Sequence, residues 1–274
     1  MAQLQEQPLT FTDQARGYIV QVSRQATVSW SRTAMQKLLY AYWAGATRSE
    51  ATREHFLTRL APDLRDAGVE RLQFNIADLG DLSDGLEHLR LATMSPKPDG
   101  IVSFWLSSAW RREPAERLLA DAFQRIAGFA VVESTVLRND LHPPQAHERT
   151  LGFSQVSFLQ LPPRLSQEEW RDRWLNRHSR IAIETQSNFR YVQNFVAYPL
   201  TPDAPPWRGI VEESFPPEAL RDLRLFYDAR GDEEKFQRNL QAMMDSCAAF
   251  IDADGIDVVA TSEYQLPAER EPRL

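Results

Sequence analysis

Apolar residues fall in two rhythms along the chain, one alternating and one recurring every three to four positions. From Lys37, the run Leu38-Leu39-Tyr40-Ala41-Tyr42-Trp43-Ala44 has the composition of a buried strand and ends at Gly45. Phe56, Leu57, Leu60 and Leu64 then recur at helical spacing before Gly68, which predicts a helix over 49–66. Arg71 to Ile76 alternates as a strand, and Ile101 to Leu106 is the next strand candidate. Behind Pro114, the positions Leu118, Leu119, Ala122, Phe123 and Ile126 make one apolar stripe, with Gly128 as its expected stop. Phe129 to Leu137 closes this half as a strand. Residues 1–36 show only Tyr18 to Val22 as a short strand and read as an N-terminal arm.

After a linker over 141–151 that contains Pro143 and Pro144, the same order begins again. Phe153 to Leu161 is a strand. Ser166, with Glu169 three residues on, makes a capping box for a helix over 166–186, whose buried face carries Trp170, Trp174, Leu175, Ile181 and Ala182. Strands follow at 189–198 and 207–215, then a helical region over 217–251 with a break at Gly231, and a last strand over 257–266. The segment Arg53 to Leu60 lies over Arg171 to His178 without a gap, and Arg71 and Asn75 fall on Arg190 and Asn194 when the offset grows by one. An internal duplication follows from the shared order and these pairs.

The expected fold is therefore α+β. Two ferredoxin-like βαββαβ repeats, at 37–140 and 152–266, would form an intramolecular dimeric α+β barrel, with 267–274 as a tail. A four-stranded antiparallel sheet with helices on one face must bury its other face, and the equivalent face of a second copy serves. The space between the two sheets would then be the natural small-molecule cavity.

Composition narrows the function. Of 274 residues, 43% are hydrophobic, enough for a sizeable core, and 38 acidic against 31 basic side chains give a net charge of −7. That charge repels phosphate backbones, so no nucleic-acid partner is expected. The single cysteine, Cys247, forms no internal disulfide and points to a cytoplasmic location. No apolar run is long enough to span a membrane, and the N-terminus lacks the pattern of a secretory signal. No metal site is expected: the only close histidine pair, His142 and His147, is held in a proline-stiffened loop. Nor does any GxGxxG or GxxxxGK[ST] pattern offer a cradle for a nucleotide cofactor, and none is expected.

Ser166, Glu168, Glu169, Trp170, Trp174 and His178, followed by the strand Arg190-Tyr191-Val192-Gln193-Asn194-Phe195-Val196, resemble the EthD domain family of dimeric α+β barrels over residues 152–266. Residues 37–140 look like a degenerate second copy, with Leu60 where the histidine should stand. One departure is Phe195, where family members often carry a histidine. The resemblance implies a ferredoxin-like fold and a hydrophobic ligand site, with relatives in polyketide cyclisation, dehydration, decarboxylation and the degradation of ethers or aromatic compounds.

His178 lies four residues after Trp174 on the helical face turned to the sheet, where a neutral imidazole could take and return a proton. The alternative is a buried histidine that ties helix to sheet. Tyr191, Gln193 and Phe195 share one strand face, and the valine face opposite suits the helices, which leaves Tyr191 and Gln193 for the cavity. Trp43, Tyr42 and Trp105 are candidate aromatic walls for a flat ligand, against plain core packing. Of Glu212 and Glu213 one must point inward, and Glu212 is the candidate partner of the imidazole, against a solvated strand end for both. These residues point to an enzyme for a small apolar oxygenated compound, aromatic in character, working by cofactor-independent proton transfer of the lyase, cyclase or dehydratase kind. A non-catalytic binding protein and an EthD-type oxidoreductase, cofactor-free or haem-binding, are the alternatives, and a homodimer of duplicated chains remains open.

Overall fold

The computed structural model describes residues 10–13, 18–21, 35–45, 50–78 and 96–266, and the chain divides into two units, 1–34 and 35–274. In the first unit β1 (Thr10–Asp13) pairs antiparallel with β2 (Tyr18–Gln21). Only the second of these strands is marked by apolar residues in the sequence.

The second unit runs β3 (Gln36–Trp43), helix α1, β4 (Arg71–Ile76), β5 (Gly100–Leu106), α2 (Glu113–Ala122) and β6 (Arg125–Leu137), then β7 (Phe153–Gln160), helix α3, β8 (Arg190–Pro199), β9 (Trp207–Phe215), α4 (Leu223–Phe226), α5 (Glu233–Phe250) and β10 (Ile256–Leu266). Helix α1 is a continuous run of Glu50–His55, a widened π turn Phe56–Leu60, and Ala61–Asp66. Helix α3 is built the same way, from Gln167–Arg171, a π turn Asp172–His178, and Ser179–Thr185. Its capping box forms as its sequence requires: Ser166 Oγ accepts from the Glu169 amide, and the Glu169 carboxylate accepts from the Ser166 amide.

The strands close into an antiparallel barrel in the order β10-β4-β5-β3-β6-β8-β9-β7. Closure removes the edges of this sheet, so each strand is paired on both sides. Along β3 the side chains alternate: Leu38, Tyr40 and Tyr42 pack outward with Phe56, Leu64 and Leu119 of the covering helices, and Leu39, Ala41 and Trp43 pack inward.

Helix α2 stops at Ala122, earlier than its apolar stripe suggests. Phe123 is already extended and Ile126 pairs with Tyr42 inside the sheet. Gly128 does not stop a helix. It lies in β6 against the Tyr40 ring, where a Cβ would overlap Cε1, so the strand needs glycine there for close approach.

The barrel centre is packed with side chains, which confines the expected chamber between the sheets to one mouth of the barrel, where inward-facing Arg71, Trp105, Glu133 and Arg190 line a cavity. Trp43, Phe129, Phe158, Trp207 and Ile210 fill the centre, with the Phe158 and Trp207 rings stacked at 4.2 Å. Beside this core lies a buried ion network. Lys37 Nζ bridges Glu133 and Glu212, both at 2.7 Å, and Arg190 reaches Glu212 at 3.2 Å and Glu263 at 2.7 Å. Asn194 Nδ2 donates to Glu212 at 2.9 Å, and Gln73 Nε2 makes a further short bond to the same carboxylate. Burial pushes the Glu212 carboxyl up, but Lys37 and Arg190 outweigh it and hold it well below the ordinary range.

Candidate active site

One space for a ligand lies outside the barrel wall, between the second-half strands and helices α3 and α5. It is a cavity of about 170 Å³. Gln155, Tyr191 and Glu213 come to it from the sheet, Trp174 and His178 from α3, and Cys247 from α5. Phe226, Tyr227 and Phe250 complete an aromatic lining.

Glu213 is the central charged group. Only 6% of its surface is exposed. Its two carboxylate oxygens accept from Asn188 Nδ2 and Gln155 Nε2, each at 3.2 Å. These amides are neutral, so nothing cationic offsets desolvation, and burial pushes the carboxyl up to about 7. A carboxyl tuned to that range can give or take a proton near neutral pH.

His178 closes the π turn of α3 and reaches the same cavity. Its Nδ1 shares a hydrogen bond with Ser246 Oγ at 2.9 Å, and its ring lies 4.6 Å from that of Phe250. Burial lowers it to about 4, so it stays neutral. Burial also pushes Cys247 up to about 12, which makes it a poor thiolate, and raises the Tyr191 phenol well above its usual range. Two polar atoms on lining side chains, Gln155 Oε1 and Trp174 Nε1, are buried with no hydrogen-bond partner. An acceptor and a donor thus stand unsatisfied in the wall, as a ligand oxygen or nitrogen would require.

The structure brings only His178 and Tyr191 of the sequence-chosen residues to this cavity. The faces of β8 are the reverse of those expected: Tyr191 and Phe195 pack toward the helices, while Val196 joins the barrel core. Tyr191 still meets the ligand space because that space lies on the helical side. Gln193 does not line it. Its Nε2 donates to Ser179 Oγ at 2.5 Å and to the Leu175 carbonyl at 3.2 Å, serving the widened turn. Phe195 is half-buried with the Arg171 guanidinium 6.0 Å from its ring. Tyr42 packs under α1 with Phe56, and Trp43 sits in the barrel core with Arg125 over its ring. Trp105 belongs to a different cavity, and Glu212 to the ion network. Glu213 is the residue that the choice between neighbours misses; strand parity with Tyr191, its cross-strand partner, is the signal that finds it.

Residues 162–254 match the profile of the EthD domain. This part of the chain is similar to the EthD domain family. It carries α3, β8, β9 and α5, and so His178, Tyr191, Glu213 and Cys247. No curated protein matches the chain. Among solved structures the chain is similar to an anthrone oxidase-like protein at 8% identity and a TM-score of 0.50, covering 85% of this chain and 92% of that one. It is also similar to a mutant chlorite dismutase from Candidatus Nitrospira defluvii, at 8% identity and a TM-score of 0.43 over 85% and 92% of the two chains. The first of these supports the α+β barrel fold. Among the described residues no helix is long and apolar enough to cross a membrane, and no group of three metal-ligating side chains occurs.

Proposed function

We propose that the EthD domain is the active half of a cytoplasmic, cofactor-independent proton-transfer enzyme, and that Glu213 is its general base. The reading rests on one observation: a carboxyl at about 7, buried in an aromatic-lined cavity and held by two neutral amides. Glu213 would take a proton from a carbon beside a carbonyl or enol and return it elsewhere, as dehydration, cyclisation or isomerisation requires. His178, neutral and bonded to Ser246, would hold the substrate oxygen or pass the proton onward, and Tyr191 would donate to the same oxygen.

Size sets the substrate class. An engineered apolar cavity of roughly 150 Å³ holds benzene, so about 170 Å³ suits a monocyclic, oxygenated compound. A haem does not fit that volume.

The first half is then a duplicated unit that has lost its site. The pairing registers superimpose: Gln155 and Tyr191 both face Glu213, and Leu38 and Leu72 both face Phe104. By the same registers Arg71 matches Arg190, Asn75 matches Asn194 and Ile101 matches Ile210. Leu60 ends the first π turn as His178 ends the second. Gln155, Tyr191, Glu213 and His178 thus each have an apolar counterpart in the first half, which supports catalysis in the second alone.

An oxidation begun by the same proton abstraction is the second reading, favoured by the likeness to the anthrone oxidase-like protein. Solvent-deuterium exchange into a panel of monocyclic ketones and phenols, followed by NMR with and without dioxygen, separates the two. Exchange with no oxygen uptake, reduced about 100-fold or more by Glu213→Gln, supports the lyase-like reading; exchange coupled to oxygen uptake supports the oxidase. Exchange indifferent to Glu213→Gln, or none across the panel, overturns both.

A further inference from the structure

A second cavity, of about 290 Å³, opens at the barrel and shares no lining residue with the Glu213 cavity. We propose that it is a binding site for a small organic carboxylate, held by the Arg71 guanidinium beside Trp105.

The two halves contribute matching positions to it. Arg71 and Gln73 of β4 line it, and so do Arg190 and Val192 of β8, which hold the same places in the pairing register. The match extends to the acidic residues: Glu263 faces Asn75 across one seam of the barrel, and Glu133 faces Asn194 across the other. The charges, however, are not matched. Arg190 is doubly compensated, by Glu212 and Glu263. Glu133, the counterpart of Glu263, is instead drawn to Lys37 at 2.7 Å. Lys37 has no equivalent in the second half, where Ser154 takes its place in the register.

Arg71 is therefore left without a carboxylate partner among the described residues, at the rim of a cavity large enough for an organic acid. Its guanidinium carbon stands 4.2 Å from the Trp105 ring centre, which fixes the plane of the donor fork and leaves its edge for a two-point bond to a carboxylate. Arg138, paired through Nε with Asp140 at 2.8 Å, and Asn139, whose side chain bonds the His142 backbone, also line the opening. Glu133 also lines the opening, with its carboxylate held at 2.7 Å by the Lys37 ammonium that it shares with Glu212. The ligand's apolar body would lie along the Trp105 ring and Val192.

Isothermal titration of the full chain with benzoate, phenylacetate and hexanoate tests this. The expected result is saturable one-to-one binding of at least one of them, weakened tenfold or more by Arg71→Ala, less by Arg71→Lys, and unchanged by Glu213→Gln. Arg71 is an exposed side chain, so its removal leaves folding intact; thermal unfolding of the variant verifies this. Binding that Arg71→Ala leaves intact, binding lost on Glu213→Gln, equal binding of inorganic phosphate, or no binding by any of the three acids overturns the assignment.

Discussion

Glu212 and Glu213 are successive residues of β9 that face opposite sides of the barrel wall. Glu212 is fully buried inside, where Lys37 and Arg190 hold it ionised. Glu213 is buried outside under α3 and α5, where only amides meet it and its carboxyl rises to about 7. One residue of strand parity thus separates a structural anion from the proposed proton carrier.

Their neutral variants should behave in opposite ways. Glu212→Gln removes the shared anion from two buried cations and should destabilise the fold by roughly 3–5 kcal/mol. In Glu213→Gln the outcome depends on pH. The folded carboxyl at about 7 lies above its ordinary value of 4.5, so its contribution is complete below 4.5 and is lost as pH rises through 7. The variant lacks that loss. It should exceed the wild type by about 3 kcal/mol at alkaline pH and converge with it below pH 4.5, as measured by urea unfolding across pH.

His178 has the opposite linkage. Its value falls from 6.5 to about 4 in the fold, so the contribution is complete above 6.5 and is lost as pH drops through 4. Between 4.5 and 6.5 the slopes of Glu213 and His178 oppose each other and nearly cancel. His178→Gln should therefore tilt the difference from wild type toward acid stability, and Glu213→Gln should tilt it the other way. Parallel difference curves for the two variants would contradict the assignment.

Gly209 of β9 lies beneath α3, and a Cβ there would overlap Trp174 Cη2 and stand 3.1 Å from Trp170 Cη2. Gly209→Ala should push both indoles outward, costing about 1–3 kcal/mol and disturbing the cavity wall that Trp174 forms. Thermal unfolding measures the first effect. A change in tryptophan emission measures the second, and it is not expected of alanine at Gly231, where nothing lies within 4 Å and only the backbone strain of a Cβ at φ 73° is felt.

Much of the fold is legible in the sequence because periodicity is a local signal. Tyr40, Phe56 and Trp174 fall on the rhythms that place them under helices, and the Ser166–Glu169 box marks where α3 begins. The end of α2 is hidden because Phe123 and Ile126 continue a helical stripe while serving a strand. The site is less legible. Alternation along β8 separates Tyr191 from Val192 but does not say which face looks outward, since both faces of this wall are buried and both carry polar residues. Arg190, Asn194 and Glu212 form an inward polar layer that no single strand reveals; only the closed barrel brings Lys37 to Glu212. Without that orientation, alternation alone cannot tell the roles of Glu212 and Glu213 apart.

The central claim is that a proton carrier with a near-neutral pKa stands in the cavity beneath α3 and α5, and carboxyl-carbon NMR titration of protein labelled at glutamate measures it directly. The account predicts one resonance with a midpoint near 7 that disappears in Glu213→Gln and shifts when a monocyclic ligand binds. A Glu213 resonance titrating near 4.5, as a solvated carboxyl does, would contradict it.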